Sequence, residues 1–397
     1  MLEEHAPNLF TILQTREDWR AIITQPSGEI TSLPVLRGNE RQCAFWVNQA
    51  WLSALSLSMP TTIEEYTEVL RAFRDNDPNG NGKADEIPLH LIGPWESKFL
   101  LHAFGLTPND YHIYLNEEDK VCFAPFDVAF RDYVEWMHMA FSESLLNEDA
   151  FHMMHQTYDN LSRLSSADEK TLPTLGSLVS ISPYTYVQLE DTTSYAVMPP
   201  LIYEGKQVYR KLLNGVGRGA FAVTSACENV PAALRFADML YTEEGGRLAF
   251  AGAEGEDYTF NDEGIWTWNI SESIDILAEL GKIVIADETR TPGLEPVSFM
   301  RSTQVEEENY VRAQLDILRP YLAEAFPITW PTSAEREERI AALQADLSTC
   351  IDTAIANFAM GKTVLNDATW QAFEEELYAL GAEEFISLWQ QKLDEIA

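Results

Sequence analysis

From Ile63 to Phe73 the apolar residues recur every three or four positions. Ile63, Tyr66, Val69, Leu70 and Phe73 fall on one face. Thr61 and Thr62 precede Glu64 and Glu65 as capping-box partners, so the pattern predicts a helix over 61–74. The first thirty residues predict short helices between Leu9 and Ile23. Strands are predicted at Ile30–Leu36, Ile87–Ile92, Leu178–Val187, Tyr195–Leu201 and Ala220–Thr224. Residues 97–160 are predicted mainly helical, with a turn-rich break near 107–120, and 161–174 and 252–268 are predicted as loop. After Asn229-Val230-Pro231 a helix carries Leu234, Ala237, Leu240 and Tyr241 on one face, with Pro early, where it is tolerated. Near the end Trp370, Phe373, Leu377 and Leu380 form one helical face, Gly381 stops it, and Phe385, Trp389, Leu393 and Ile396 resume it. A few short strands among many helices define an α/β chain.

Between the helix at 61–74 and the strand at 87–92 lies Asp75-Asn76-Asp77-Pro78-Asn79-Gly80-Asn81-Gly82-Lys83-Ala84-Asp85-Glu86. Oxygen-bearing side chains alternate around glycines, the spacing a hard cation such as Ca²⁺ needs from a tightly curled loop. Two registers compete. One starts at Asp77 and offers Asp77, Asn79, Asn81, the Lys83 carbonyl, Asp85 and Glu86, with Gly82 at the sharp sixth position. The other starts at Asp75, with Gly80 sixth and Glu86 twelfth. The Asp77 register is preferred because it uses both Asp85 and Glu86. A polar turn without metal is the alternative. A metal held there would be structural, since no nucleophile or base adjoins it.

The 397 residues suffice for two domains, and 46% of them are hydrophobic. A formal net charge of -36 argues against nucleic acid and against anionic membrane surfaces, both of which attract basic proteins. The four cysteines, Cys43, Cys122, Cys227 and Cys350, have no zinc spacing and are expected as free thiols. No run of apolar residues is long enough to span a bilayer, and Met1-Leu2-Glu3-Glu4-His5 does not resemble a signal peptide.

Several separated segments resemble one family. Val47-Asn48-Gln49-Ala50-Trp51-Leu52, Pro60-Thr61-Thr62-Ile63-Glu64-Glu65 and the loop from Asp77 to Leu89 look like the extracellular solute-binding lipoproteins (family 1 type) of carbohydrate ABC transporters. The loop followed by Ile87-Pro88-Leu89 is similar to that of alginate-binding members. Met198-Pro199-Pro200-Leu201, Ala222-Val223-Thr224-Ser225, Pro231 to Gly245, Gly252-Ala253-Glu254-Gly255 and Phe358-Ala359-Met360-Gly361 onward also fit, in the right order. The resemblance implies a helix-rich, two-lobed fold of the periplasmic-binding-protein type II class, hinged, with sugar in the cleft between the lobes. Crossings are expected near Arg41–Trp46, Gly219–Thr224 and residue 290. That assigns 1–42 and 220–292 to the first lobe, and 43–219 and 293–397 to the second, which carries the calcium loop. It also implies a first lobe that is incomplete in this chain, and a full-length form anchored outside the cytoplasm as a lipoprotein. Glu143-Ser144-Leu145-Leu146 departs from the family pattern by carrying Ser where Gly is usual.

Sugar rings present apolar C–H faces and a fringe of hydroxyls, so their sites pair flat aromatic walls with a few polar groups. By similarity to maltose-type binding proteins, Trp95 is a stacking aromatic, and Tyr184 and Tyr186 match a second aromatic position; on a strand they would share a face. Arg41, just before the first crossing, could bind hydroxyls or a sugar carboxylate, and Trp46 lies in the crossing strand. Core packing competes for each tryptophan, and a solvated surface position competes for Arg41. Trp266 and Trp268 form either one face of a surface ribbon or part of a core. His152 and His155 are three apart but lack a third metal ligand nearby, and Gly215-Val216-Gly217-Arg218-Gly219 runs into a strand rather than a helix N-terminus, so it is not a phosphate loop.

The favoured function is a monomeric carrier that closes on an oligosaccharide, performs no reaction and delivers its cargo to a membrane permease. A calcium-stabilised glycoside hydrolase with paired carboxylates is the main rival, and a helical scaffold with structural calcium is a third reading.

Overall fold

The computed structural model describes residues 1–25, 27–38, 42–151, 173–212, 215–262, 266–269, 281–283, 291–297, 305–323, 326 and 332–395, with backbone alone at Pro94 and Val305. The described residues divide into two compact units. One comprises residues 1–41, 213–309 and 328–333; the other comprises 42–212, 310–327 and 334–397.

The strands that organise them are β1 (Leu33–Arg37), β2 (Ala44–Asn48), β3 (Ile87–His90), β4 (Ile113–Leu115), β5 (Val121–Phe123), β6 (Leu175–Ser180), β7 (Tyr195–Val197) and β8 (Tyr209–Arg210). They continue with β9 (Val216–Phe221), β10 (Tyr258–Phe260), β11 (Trp266–Trp268), β12 (Gly293–Glu295) and β13 (Leu322–Ala323). The helices of the first half are α1 (Leu2–His5), α2 (Pro7–Thr15), α3 (Glu17–Ile23), α4 (Gln49–Ala54), α5 (Ile63–Asp75), α6 (Gly93–Ser97) and α7 (Val128–Ser142).

In the first unit β1 is the middle of a three-stranded sheet, parallel to β12 and antiparallel to β9. The register shifts between Leu33 and Val35: Pro34 alone on β1 faces Arg218, Gly219 and Ala220, so the bulge lies in β9. The bulge breaks the simple alternation of faces. Leu33 and Leu36 therefore pack with Leu9, Leu13, Trp19 and Leu234, while Val35 packs with Phe250, Tyr258, Trp266 and Trp268. The buried carboxylate of Asp238, in the helix Val230–Met239, accepts the backbone N–H of Asn8 at 3.2 Å and of Leu9 at 2.9 Å. It thus caps the start of α2 from 230 residues away.

In the second unit a four-stranded sheet runs β3-β6-β2-β7. β3 and β6 are parallel, with His90 opposite Leu178; β2 runs antiparallel to β6 and to β7. α5 lies against this sheet. Thr62 Oγ1 accepts the Glu65 N–H at 3.3 Å, and the Glu65 carboxylate accepts the Thr61 N–H at 2.8 Å, so the predicted cap forms. Tyr66, Val69, Leu70 and Phe73 are buried as the spacing requires. Gly176 in β6 allows the close approach: a Cβ there would stand 2.4 Å from the Phe73 ring and 2.9 Å from the Pro88 carbonyl oxygen.

Three sequence expectations change. The strand predicted over Leu178–Val187 ends at Ser180, and Pro183–Thr185 is a 3-10 turn, because Pro183 fixes φ and has no N–H for a ladder. The region 107–123 holds a hairpin of β4 and β5 rather than a mere break between helices. The expected unit boundary near Gly219–Thr224 falls after Leu212, and residues 293–309 group with the first unit, because β9 and β12 both pair with β1.

Ser144 has φ +57°, in the left-handed region, directly after Glu143 at the end of α7. That backbone explains why glycine suits the position. Ser144→Gly is expected to raise the urea midpoint, by up to about 1 kcal/mol in unfolding free energy. A midpoint that stays or falls would remove this explanation.

Candidate functional site

The acidic loop leaves α5 and returns into β3. Gly80 and Gly82 have φ of +71° and +75°, and nothing lies within 4 Å of where their Cβ atoms would be. The Asp77 carboxylate turns inward: Oδ1 accepts the Asn81 N–H at 3.0 Å and Oδ2 the Gly82 N–H at 2.8 Å. Asn79 Oδ1 also accepts the Asn81 N–H at 3.0 Å, and Asn81 Oδ1 accepts the Lys83 N–H at 2.7 Å. The Asn81 amide group donates to Asp85 at 3.0 Å. Asp75 differs, since its carboxylate faces the Arg74 guanidinium at 2.6 Å.

Glu86 closes the loop. Its Oε1 is buried without a hydrogen-bond partner. Burial, then the neighbouring charges of Asp85 and Asp77, hold its carboxyl above the usual range. Acidic groups thus converge with an orphaned oxygen among them, and the remaining donors are amide and carbonyl oxygens. This donor set fits a hard cation. Among the described residues no three His, Cys, Asp or Glu side chains form a metal cluster by themselves, so any ion would depend on those neutral oxygens.

A second cluster lies at the carboxyl ends of the parallel pair β3 and β6, where open α/β sheets leave a crevice for ligands. The segment after β3 forms α6 and carries Trp95; the segment after β6 carries Tyr184 and Tyr186. Trp95 is 44% exposed, and its ring rests on the edge of buried Phe99, with centroids 5.1 Å apart. Phe99 in turn lies under the Arg210 guanidinium, 5.2 Å from the ring centroid. Tyr184 is half-buried on the 3-10 turn. Tyr186 is buried, and its hydroxyl donates to Glu96 Oε1 at 2.5 Å. The expected shared strand face for the two tyrosines does not exist, because the chain has left the ladder before Pro183.

Trp46 is also corrected. It has no exposed surface, and its Nε1 donates to the Ser180 carbonyl at 2.9 Å, so it belongs to the core of the sheet. Trp266 and Trp268 are core as well: the Tyr258 and Trp266 rings stack at 4.0 Å. Arg41, His152 and His155 lie outside the described residues.

Sequence reasoning missed the buried polar groups behind Trp95. Glu96 is 8% exposed, and its Oε2 accepts the Ile92 N–H at 2.5 Å. Burial pushes its carboxyl up to about 8, against the opposing pull of the bonds from Tyr186 and Ile92. His90, at the end of β3, packs its ring edge on Tyr186 at 4.9 Å, and neither ring nitrogen has a partner. Burial lowers it to about 4, so it is a neutral imidazole. The available signal was a lone acid and two histidines, His90 and His102, within the largely apolar stretch from Ile87 to Phe104.

No family model matches the chain. A search of curated proteins finds the fructooligosaccharide ABC transporter substrate-binding protein FusA of Streptococcus pneumoniae, 25% identical over 420 residues, spanning 100% of this chain and 75% of FusA. Among solved structures, an HMO-binding ABC-transporter associated solute-binding protein from Bifidobacterium longum infantis superposes with a TM-score of 0.84 at 22% identity, over 100% of this chain and 82% of that one. FusA in complex with kestose gives 0.78 at 22% identity, and its EF-hand mutant with fructo-nystose gives 0.77 at 22%, each over 100% of this chain and 82% of the other. The alginate-binding protein AlgQ2 without calcium ion gives 0.74 at 18% identity, over 99% of this chain and 80% of that one. Along its whole length the chain is similar in sequence to a substrate-binding protein of an ABC transporter, and it shares the α/β fold of the solute-binding proteins. It stands with binding proteins and not with enzymes. Among the described residues no helix is long and apolar enough to cross a membrane.

The His90 imidazole has a folded pKa below its ordinary value of 6.5, so its contribution to stability is present above 6.5 and is lost as pH falls through about 4. Relative to its own stability near neutrality, His90→Asn is expected to lose less than the parent across that window in urea denaturation. Identical pH slopes in the two proteins would mean that His90 is not neutral and buried.

Proposed function

We propose that this chain binds an oligosaccharide non-covalently and hands it, as a monomer outside the cytoplasm, to the membrane permease of an ABC transporter. The observation that carries this reading is the similarity to FusA along the whole chain. An exposed Trp95 at the strand ends supports it, since a flat ring offers a stacking surface for the C–H face of a sugar. Tyr184, half-buried on the adjoining segment, and Arg41 are the polar and aromatic groups proposed to accompany it. A lipoprotein anchor is supported by the 29% identity to lipoprotein LipO of Bacillus subtilis over 131 residues, 31% of this chain and 25% of that one.

A structural calcium ion completes the proposal. Asp77, Asn79, Asn81, the Lys83 carbonyl, Asp85 and Glu86 would hold it, because the Asp77 carboxylate faces the loop interior whereas Asp75 is engaged by Arg74. The ion would neutralise the converging carboxylates and brace the passage from α5 to β3. An EF-hand mutant of FusA and a calcium-free form of AlgQ2 among the similar structures support the same reading.

Titration calorimetry with inulin-type fructo-oligosaccharides tests the carrier. Saturable binding without release of reducing ends is expected, and Trp95→Ala should weaken it roughly tenfold or more, about 1.4 kcal/mol. Indifference to a broad glycan panel, or turnover of any member, would refute the carrier. For the loop, calcium should raise the melting temperature of the parent, and Asp77→Ala combined with Asp85→Ala should abolish the rise. A parent whose melting is the same in calcium and in chelator ends the calcium proposal.

A further inference from the structure

The loop between α5 and β3 carries two Asn-Gly pairs in succession, Asn79-Gly80 and Asn81-Gly82. In such a pair the glycine nitrogen can reach the asparagine side-chain carbonyl, because no Cβ on the glycine shields it. Both glycines are exposed, with nothing within 4 Å of where a Cβ would stand, and both asparagines are half-buried. Neither pair is shut away from water. What separates them is how firmly the reacting groups are held. A third pair, Asn214-Gly215, has its asparagine outside the described residues.

Attack on the side chain requires the glycine N–H, the asparagine Oδ1 and the asparagine Nδ2 to leave their present partners. At Asn81 all three are held closely. The Gly82 N–H donates to Asp77 Oδ2 at 2.8 Å, Asn81 Oδ1 accepts the Lys83 N–H at 2.7 Å, and Asn81 Nδ2 donates to the Asp85 carboxylate at 3.0 Å. Two of these bonds end on a carboxylate, and a charged acceptor makes a hydrogen bond markedly stronger. At Asn79 each counterpart is longer and neutral. The Gly80 N–H donates to the Asp77 main-chain carbonyl at 3.2 Å. Asn79 Oδ1 accepts the Asn81 N–H at 3.0 Å, a proton it shares with Asp77 Oδ1. Asn79 Nδ2 stands 3.5 Å from the Pro173 carbonyl, beyond the usual range for a firm N–H···O bond.

We propose that Asn79 is a site of spontaneous deamidation in the folded chain, and that the bonds around Asn81 protect the second pair. The Gly80 nitrogen bonds to Cγ of Asn79, and the side-chain amide group leaves as ammonia, taking up the Gly80 amide proton. A cyclic imide remains. Water then opens it at either carbonyl and restores the Gly80 N–H. One product is aspartate at 79. The other is isoaspartate, in which the main chain runs through Cγ and is longer by one carbon. Water is the sole reagent, and nothing is oxidised or reduced. Either product adds a negative charge to a loop that already holds Asp77, Asp85 and Glu86, and isoaspartate also disturbs the curl at Gly80. The inference rests on neither the carbohydrate reading nor the calcium reading.

The test uses the parent chain in mildly alkaline buffer with a chelator, once folded and once in concentrated urea. Peptide mapping by mass spectrometry follows the fraction modified at each asparagine over time. In the folded protein Asn79 is expected to react roughly fivefold faster than Asn81, the ratio that one additional firm hydrogen bond supplies. In urea the two rates should become comparable, because the bonds that distinguish them are gone. Asp85→Ala frees the Asn81 amide nitrogen and should narrow the folded-state gap by speeding Asn81. Equal rates in the folded protein, a faster Asn81, or an Asn79 that reacts only in urea would overturn the proposal. A gap that persists undiminished in urea would assign it to local sequence and overturn the protective role of the bonds, as would a gap untouched by Asp85→Ala. If that variant does not fold, the comparison of folded and unfolded parent decides alone.

Discussion

The parallel register of β3 on β6 is the constraint on which the second unit's site depends. Ile87 opposite Leu175 and His90 opposite Leu178 bring both strands to their ends at nearly the same level. Two segments far apart in sequence therefore leave the sheet side by side, one with Trp95 and Glu96, the other with Tyr184 and Tyr186. Gly176 keeps that register compatible with α5, since no side chain separates β6 from the Phe73 ring. The acidic loop belongs to the same arrangement. It is the connection from α5 to β3, so its curl sets where β3 begins.

The helices were legible in the sequence because their burial follows a period that single residues report. Tyr66, Val69, Leu70 and Phe73 are buried on α5, as Trp370, Phe373 and Leu377 are on the helix Asp367–Ala379. The loop's inward-facing oxygens were legible as well, because a glycine-rich turn expresses its geometry locally. The strands were less so. β6 and the turn at Pro183 both carry apolar residues, and only the proline marks where the ladder stops. The side chains of Tyr186 and Trp46 misled for a related reason: an aromatic residue has the same letter whether its ring faces ligand or core. Glu96 left almost no trace, since a buried acid is recognised by what surrounds it in space, here Tyr186 ninety residues away.

The net charge of -36 bears differently on different parts of the molecule. At the surface much of the acidity is solvated or paired with arginines, as where Arg71 holds Glu143 at 2.6 Å. In the loop, burial and then the charges of Asp85 and Asp77 hold the Glu86 carboxyl above its usual range, while loop amides satisfy the Asp77 carboxylate. At Glu96 the same acid chemistry is removed from water and kept uncharged. One residue type thus supplies solubility, a cation-favouring loop and a neutral hydrogen-bonding hub, according to depth alone.

The central place of β1 in its sheet has a consequence for biosynthesis. Both neighbours, β9 and β12, lie far downstream, on the other side of the second unit's main segment. While the ribosome translates that intervening stretch, β1 has emerged with neither edge occupied, and Asp238, which caps α2, has yet to be made. The nascent chain must carry an apolar strand with both edges open until Val216–Phe221 appears and with one edge open until Gly293–Glu295 appears, a period when such edges invite association with other chains. The first unit is thus begun early but completed late, and a holding chaperone has its greatest use in that interval.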